Sequence, residues 1–207
     1  MEWANLILFS LGGRPVVLAD LLSSVLGLCC VFLAGRNSKY NFWVGYLYAA
    51  ALFVLFWTRN LYANLLLQPL SLGINIVGHY RWTHPRENEK SADNKLKVSM
   101  LDWKSRAVGL AAVLVCALGW GYVLDALFPA DPHPYLDTLV TVLILSAQLL
   151  SAMKKWDCWI VWLFVNISQI ILHLSVGNML MSIVSGLYLA NGLWSLYSWI
   201  KLYKNNG

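Results

Sequence analysis

Residues 154–173 read KKWDCWIVWLFVNISQIILH. Two lysines open the stretch, Trp156, Trp159 and Trp162 follow three apart, and Asn166, Gln169 and His173 complete it. At 100° per residue, Trp159, Trp162, Asn166, Gln169 and His173 fall within an arc of roughly 80°, while Ile, Val, Leu and Phe take the remaining faces. Asn166 lies about 15 Å along such a helix from Trp156, near the middle of a ~30 Å hydrocarbon core. An amide at that depth is costly unless protein, water or a ligand meets it. Two readings compete. Trp faces beside an amide suit a flat aromatic solute bearing hydroxyls; the alternative is an interfacial tryptophan belt plus a helix-packing amide. Trp156 fits the belt, and the deeper Trp162/Asn166 pair fits the site.

The rest of the chain requires a membrane protein around that helix. Of 207 residues, 59% are hydrophobic and 12% charged, and mean hydropathy is +0.59, whereas soluble domains carry about 25% charged residues. The expected environment is therefore the lipid bilayer. The formal net charge of +5 is read as a signal of membrane orientation, with no nucleic-acid partner implied. Cys29, Cys30, Cys116 and Cys158 lie in or beside apolar segments without CxxC spacing, so free thiols and no metal site are expected. Residues 1–13 lack a basic region before their short apolar run, which argues against a signal peptide. Residues 1–15 are expected to be a lead-in, either a short interfacial helix or extended chain.

Seven apolar segments follow, at about 16–35, 41–58, 61–82, 105–125, 135–153, 156–174 and 178–200, each long enough to span with some tilt. If the loops alternate sides, Arg14 and Arg59 fall on one side and the other thirteen basic residues on the opposite one. That asymmetry predicts an N-terminus outside and a C-terminus in the cytoplasm. The polar stretch 83–104 reads as a solvated cytoplasmic linker, and 201–207 as a cytoplasmic tail. An ungapped offset of 117 pairs Asp20 with Asp137, Phe42 with Trp159, Tyr80 with Tyr197 and Trp82 with Trp199. The expected fold is thus all-α in a 3+1+3 order: a three-helix repeat over 16–82, a crossover helix at 105–125 and a second, parallel repeat over 135–200. Parallel repeats put the pseudo-twofold axis along the membrane normal and a substrate site between the halves.

The third span supports a polar site independently. Asn64, Gln68, Ser71, Asn75 and His79 share another arc of roughly 80°, and Pro69 removes one backbone hydrogen bond in mid-span. Tyr188 and Asn191 in the seventh span and Gln148 in the fifth are the other deep polar residues. The candidate substrate-binding set is therefore Trp159, Trp162, Asn166, Gln169, Gln68, Asn75, Tyr188, Asn191 and Gln148. No Asp, Glu, Lys or Arg falls near the middle of a span, so ion coupling lacks its usual group. No Walker or Rossmann glycine pattern points to a nucleotide, no cofactor is implied, and no nucleophile–base pair or metal cluster argues for an enzyme. Passive transport through a binding site remains, with a receptor or assembly subunit as the reading from another class.

Asn60 to Pro69 (NLYANLLLQP) followed by Gly78-x-Tyr80-x-Trp82 resembles the nicotinamide riboside (PnuC) transporters, as do YLDTLV…AQ in the fifth span and WIVWLFVN from Trp159 to Asn166. The likeness runs from about Leu18 to Lys204. It implies a SWEET-like architecture, a homotrimer, and facilitated diffusion of a vitamin precursor pulled by phosphorylation inside the cell. The family's W-x-x-x-N pattern falls on Trp162 and Asn166. Phe42-Trp43-Val44-Gly45 replaces the family's Trp-Pro-x-Gly, and Val77-Gly78-His79 its Tyr-Gly-Trp, so thiamine or riboflavin stand beside nicotinamide riboside as substrates. An aromatic cation would stack on Trp159, Trp162 or Tyr188.

Overall fold

Hydrocarbon-length apolar runs satisfy their backbone internally only as helices, and seven helices form. They are α1 (Leu18–Gly35), α2 (Asn41–Thr58), α3 (Tyr62–Thr83), α4 (Trp103–Leu127), α5 (Pro134–Ala152), α6 (Asp157–Ser175) and α7 (Met179–Asn205). The structure is a computed structural model that describes residues 6–58, 62–91, 93–127, 134–175 and 177–205. Among these, α1, α4, α6 and α7 are by length and hydropathy able to cross a membrane unaided, while α2 and α5 contribute shorter apolar stretches. The 22-residue α3 is long enough, but its polar stripe lowers its hydropathy. The last helix runs on through Lys201 to Asn205, so most of the expected tail is helical.

From Leu6 on, the lead-in is neither an interfacial helix nor a bare extended segment. Strands β1 (Ile7–Leu11) and β2 (Arg14–Val17) pair antiparallel around Gly12 and Gly13, whose φ angles are 61° and 77°. Two consecutive left-handed residues are what a two-residue hairpin turn needs, and the glycines supply them without steric cost. Beyond this hairpin, the regular elements of the described residues are helices, as expected.

The helices pack in a closed order. Contacts run α1–α2, α2–α3, α3–α5, α5–α6 and α6–α7, and α7 returns to α1, whereas α4 packs substantially only on α5 among the described residues. The turns after α1 and α5 are bonded alike. Asn37 and Lys154 both adopt left-handed φ, 59° and 57°. Asn37 N donates to Ala34 O and Lys154 N to Ser151 O, both at 2.9 Å, and Ser38 N and Lys155 N reach back to Leu33 O and Leu150 O at 3.0 and 2.9 Å. This is the closing pattern of a helix C-terminus ending in a left-handed residue. Towards the ends of α3 and α7, Trp82 Nε1 donates to Ser151 O at 3.1 Å and Trp199 Nε1 to Gly35 O at 3.0 Å. Phe42 meets Trp82 edge-on at 5.1 Å, Trp159 meets Trp199 edge-on at 5.5 Å, and the two donor tryptophans, Trp82 and Trp199, meet each other at 5.8 Å.

The buried aromatic cluster at this end also takes in Leu96 and Val98, each 4% exposed. The expectation of a solvated linker therefore fails for its second half. Ser99 N bonds Lys154 O, Trp156 N bonds Ser99 O, and Leu101 N donates to the Asp157 carboxylate at 2.8 Å. Arg106 completes the latch with an ion pair to Asp157 at 2.8 Å. Charged residues on either side mask the Leu-x-Val alternation in the sequence, but the aromatic floor needs an apolar cover and the chain supplies it. The first half, with its 3-10 turn at Glu87–Glu89, stays largely exposed and is tied by Arg81–Glu89 at 3.0 Å and Lys90–Glu87 at 2.6 Å.

Candidate functional site

The helix ring encloses a cavity of about 610 Å³, within the range of roughly 300–1,000 Å³ that holds small ligands. Its walls come from α1, α2, α3, α5, α6 and α7, with Trp120 of α4 at one edge. On α6 the lining runs from Trp159 through Trp162, Asn166 and Gln169 to His173, some 21 Å of helix. The polar face read from the sequence is thus the face turned to the cavity. Phe42, Ala152 and Trp159 bound one end, directly above the aromatic cluster. No Asp, Glu, Lys or Arg is among the lining residues described.

Most of the candidate residues come together here, in unequal roles. Asn166 is 6% exposed, lines the cavity, and its amide has no hydrogen-bond partner among the described residues. A packing amide would have one. Trp162 lies beside it, half-buried. Trp159 is 1% exposed, packed against Trp199, with its indole N–H unpartnered; it forms the floor and offers little free ring face. Gln169 Oε1 lies 3.1 Å from His173 Nε2, so this pair is pre-set on the wall.

From the other half, Ser71 Oγ donates to Gln148 Oε1 at 2.8 Å, joining α3 to α5 across the cavity wall. That bond leaves the Gln148 amide nitrogen for another acceptor. Asn75 Nδ2 donates weakly to Phe42 O at 3.4 Å, and Gly45 lets it approach α2: a Cβ there would stand 2.9 Å from Asn75 Nδ2. Gln68 lines the same wall. Tyr188 reaches the cavity from α7 and shares a hydrogen bond with Tyr48 of α2.

Asn191 does not join them. It points to α1, where Nδ2 donates to Val31 O at 3.3 Å, and it is absent from the lining. His79 also faces away, stacked on Phe42 at 5.3 Å and hydrogen-bonded with Tyr46 at 3.0 Å. The Asn64 side chain lies outside the described residues. Tyr48, Thr138, Thr141 and Ser185 are lining residues that the sequence reading did not single out. Hydroxyls on spanning helices commonly bond their own backbone, so composition alone does not separate site from packing.

The cavity is ringed by carboxamides and aromatic rings inside an apolar bundle. A family profile described as nicotinamide mononucleotide transporter matches residues 17–201. The chain belongs to that family. A riboflavin/roseoflavin transporter (RibM) of Streptomyces davaonensis is 26% identical over 199 residues, 96% of this chain and 92% of the relative. The nicotinamide riboside transporter PnuC of Escherichia coli is 26% identical over 194 residues, 83% of this chain and 80% of that protein. A solved structure titled as the vitamin B3 transporter PnuC superposes with a TM-score of 0.73 at 24% identity, covering 91% of this chain and 83% of that one. At that identity the superposition speaks to the fold. Family membership and the apolar helices make this a multi-pass membrane protein of a transporter family.

Proposed function

We propose that the chain is a uniporter for nicotinamide riboside, with riboflavin as the second reading and thiamine as the third. The observation that carries this is the cavity: carboxamides of Asn166, Gln148, Gln68, Asn75 and Gln169 around a space walled by Trp162 and Tyr188, with no charged residue in the described lining. Amides match ribose hydroxyls and a nicotinamide carboxamide, and aromatic faces match a flat cation. The riboflavin reading is favoured by the Streptomyces relative, which matches nearly the whole chain.

The described lining holds no carboxylate, lysine or arginine, the usual groups that couple uptake to protons or sodium, and His173 in the wall is paired with Gln169. Transport is then downhill, and net uptake is pulled by phosphorylation inside the cell. The protein sits in the bacterial inner membrane with the N-terminus outside and the C-terminus in the cytoplasm, on the thirteen-to-two sorting of basic residues. All seven helices span, in a 3+1+3 order of parallel repeats. The matched turns at Asn37 and Lys154 and the paired Trp82 and Trp199 bonds support that reading. The assembled state is a homotrimer, as the resemblance to the nicotinamide riboside transporters implies.

Calorimetric titration of the purified protein with nicotinamide riboside, thiamine and riboflavin, followed by counterflow in proteoliposomes at equal pH and sodium, tests the whole reading. Saturable binding of the riboside and counterflow without an ion gradient are expected. Binding of riboflavin alone would replace the substrate; uptake only under an imposed proton gradient would overturn the uniport mechanism.

A further inference from the structure

A second cavity, about 350 Å³, lies at the linker end of the bundle, between the α1–α2 turn, the end of α3, the linker and the α5–α6 turn. Lys39, Lys95 and Lys154 border it, together with Ser38, Thr83 and Asn94, and no carboxylate is among its described lining residues. Lys154 is 2% exposed. Its ammonium lies 4.6 Å from the centre of the Trp82 ring and makes no ion pair or hydrogen bond with the described residues.

Burying an ammonium without a counter-charge is unfavourable, and bringing a second lysine near makes it more so. Both effects, burial first and Lys95 second, push the Lys154 amine down to about 7. A ring face offsets only part of that cost. The Arg106–Asp157 pair nearby shows that this same end of the bundle uses carboxylates where a cation is to be neutralised permanently. Here it does not.

We propose that this cavity is a binding site for a phosphate group, held by Lys154, Lys95 and Lys39 and by the polar side chains of Ser38, Thr83 and Asn94. A phosphate would supply the missing charge and accept from several of these donors at once. The volume accommodates a phosphomonoester with its sugar as well as the bare ion. Because the ligand would bridge both helix turns and the linker, it would brace the aromatic cluster shut. On the transport reading and orientation above, that makes the site a brake sensed from the cytoplasm. The same chemistry could be met by a soluble phosphomonoester or by the headgroup of an anionic lipid.

The site can be tested without reference to transport. Inorganic phosphate and ribose 5-phosphate are titrated into the purified protein, with ribose and chloride at matched ionic strength as controls. Lys95→Gln is an exposed change that leaves the core untouched, and Lys154→Asn places at the left-handed turn the residue type found at Asn37. Saturable phosphate binding that weakens about tenfold or more in both variants is expected, since each removes a charged donor. Nicotinamide riboside affinity should be unchanged in both, because neither residue lines the larger cavity. Absence of saturable phosphate binding, or equal binding in wild type and both variants, overturns the proposal. In phosphatidylcholine vesicles, loss of ribose 5-phosphate binding on adding phosphatidate would assign the site to a lipid headgroup; retention assigns it to the soluble ester.

Discussion

Replacing Asn166 with alanine separates a ligand contact from a packing contact. The Asn166 amide has no partner among the described residues and borders the cavity, so truncation breaks no hydrogen bond among them. The ligand-free protein should melt close to wild type. In the bound state a hydrogen bond to substrate would be lost, at about 1–3 kcal/mol, or roughly five- to a hundredfold in affinity. Asn191 supplies the opposite case on the neighbouring helix. Its donation to Val31 O at 3.3 Å is an α1–α7 tie, so Asn191→Ala should cost about 0.5–1.5 kcal/mol of stability and leave affinity alone. Calorimetry with nicotinamide riboside and thermal melts without it, on both variants, read the two effects. Ser168→Ala, on the far face of α6 and off the cavity lining, should change neither. If Asn166→Ala binds normally but melts early, or Asn191→Ala alone loses binding, the assignment of the α6 face is wrong.

Gly45→Ala would place a methyl 2.9 Å from Asn75 Nδ2. That flexible carboxamide should swing aside, weakening binding several-fold with little change in melting temperature. Trp199→Phe removes the donor to Gly35 O in a fully buried site, and Trp82→Phe the donor to Ser151 O. Each should cost about 1–3 kcal/mol in thermal or denaturant unfolding, and a large inequality between them would count against equivalent halves. With the Lys154 amine pushed down to about 7 from an ordinary 10.5, the folded protein binds fewer protons than the unfolded chain between those values. Stability should therefore rise as pH climbs from about 7 towards 10, and Lys154→Met should flatten that rise in melts across the range.

Much of this protein is written along the chain because the bilayer is a simple solvent. Runs of apolar residues of hydrocarbon length must become helices, and α1, α4, α6 and α7 follow from that rule. Helical periodicity then placed Trp162, Asn166 and Gln169 on one face, and the 117-residue offset pairs Trp82 with Trp199, each of which donates to a backbone carbonyl. Only the tertiary structure decided what each polar residue faces. Asn166 and Asn191 are the same residue at similar depth, yet one borders the cavity and the other reaches Val31 O, because ring closure of α7 onto α1 fixes which way α7 is rotated. The hairpin at Gly12–Gly13 and the Leu96–Val98 cover were hidden for a related reason: short apolar alternations acquire meaning only once there is a surface to bury them against. Lys154 reads in the sequence as one more cytoplasmic charge. Its burial follows from the left-handed turn after α5, which directs the chain back beneath Trp82, and no local pattern of residues encodes the neighbour that it meets.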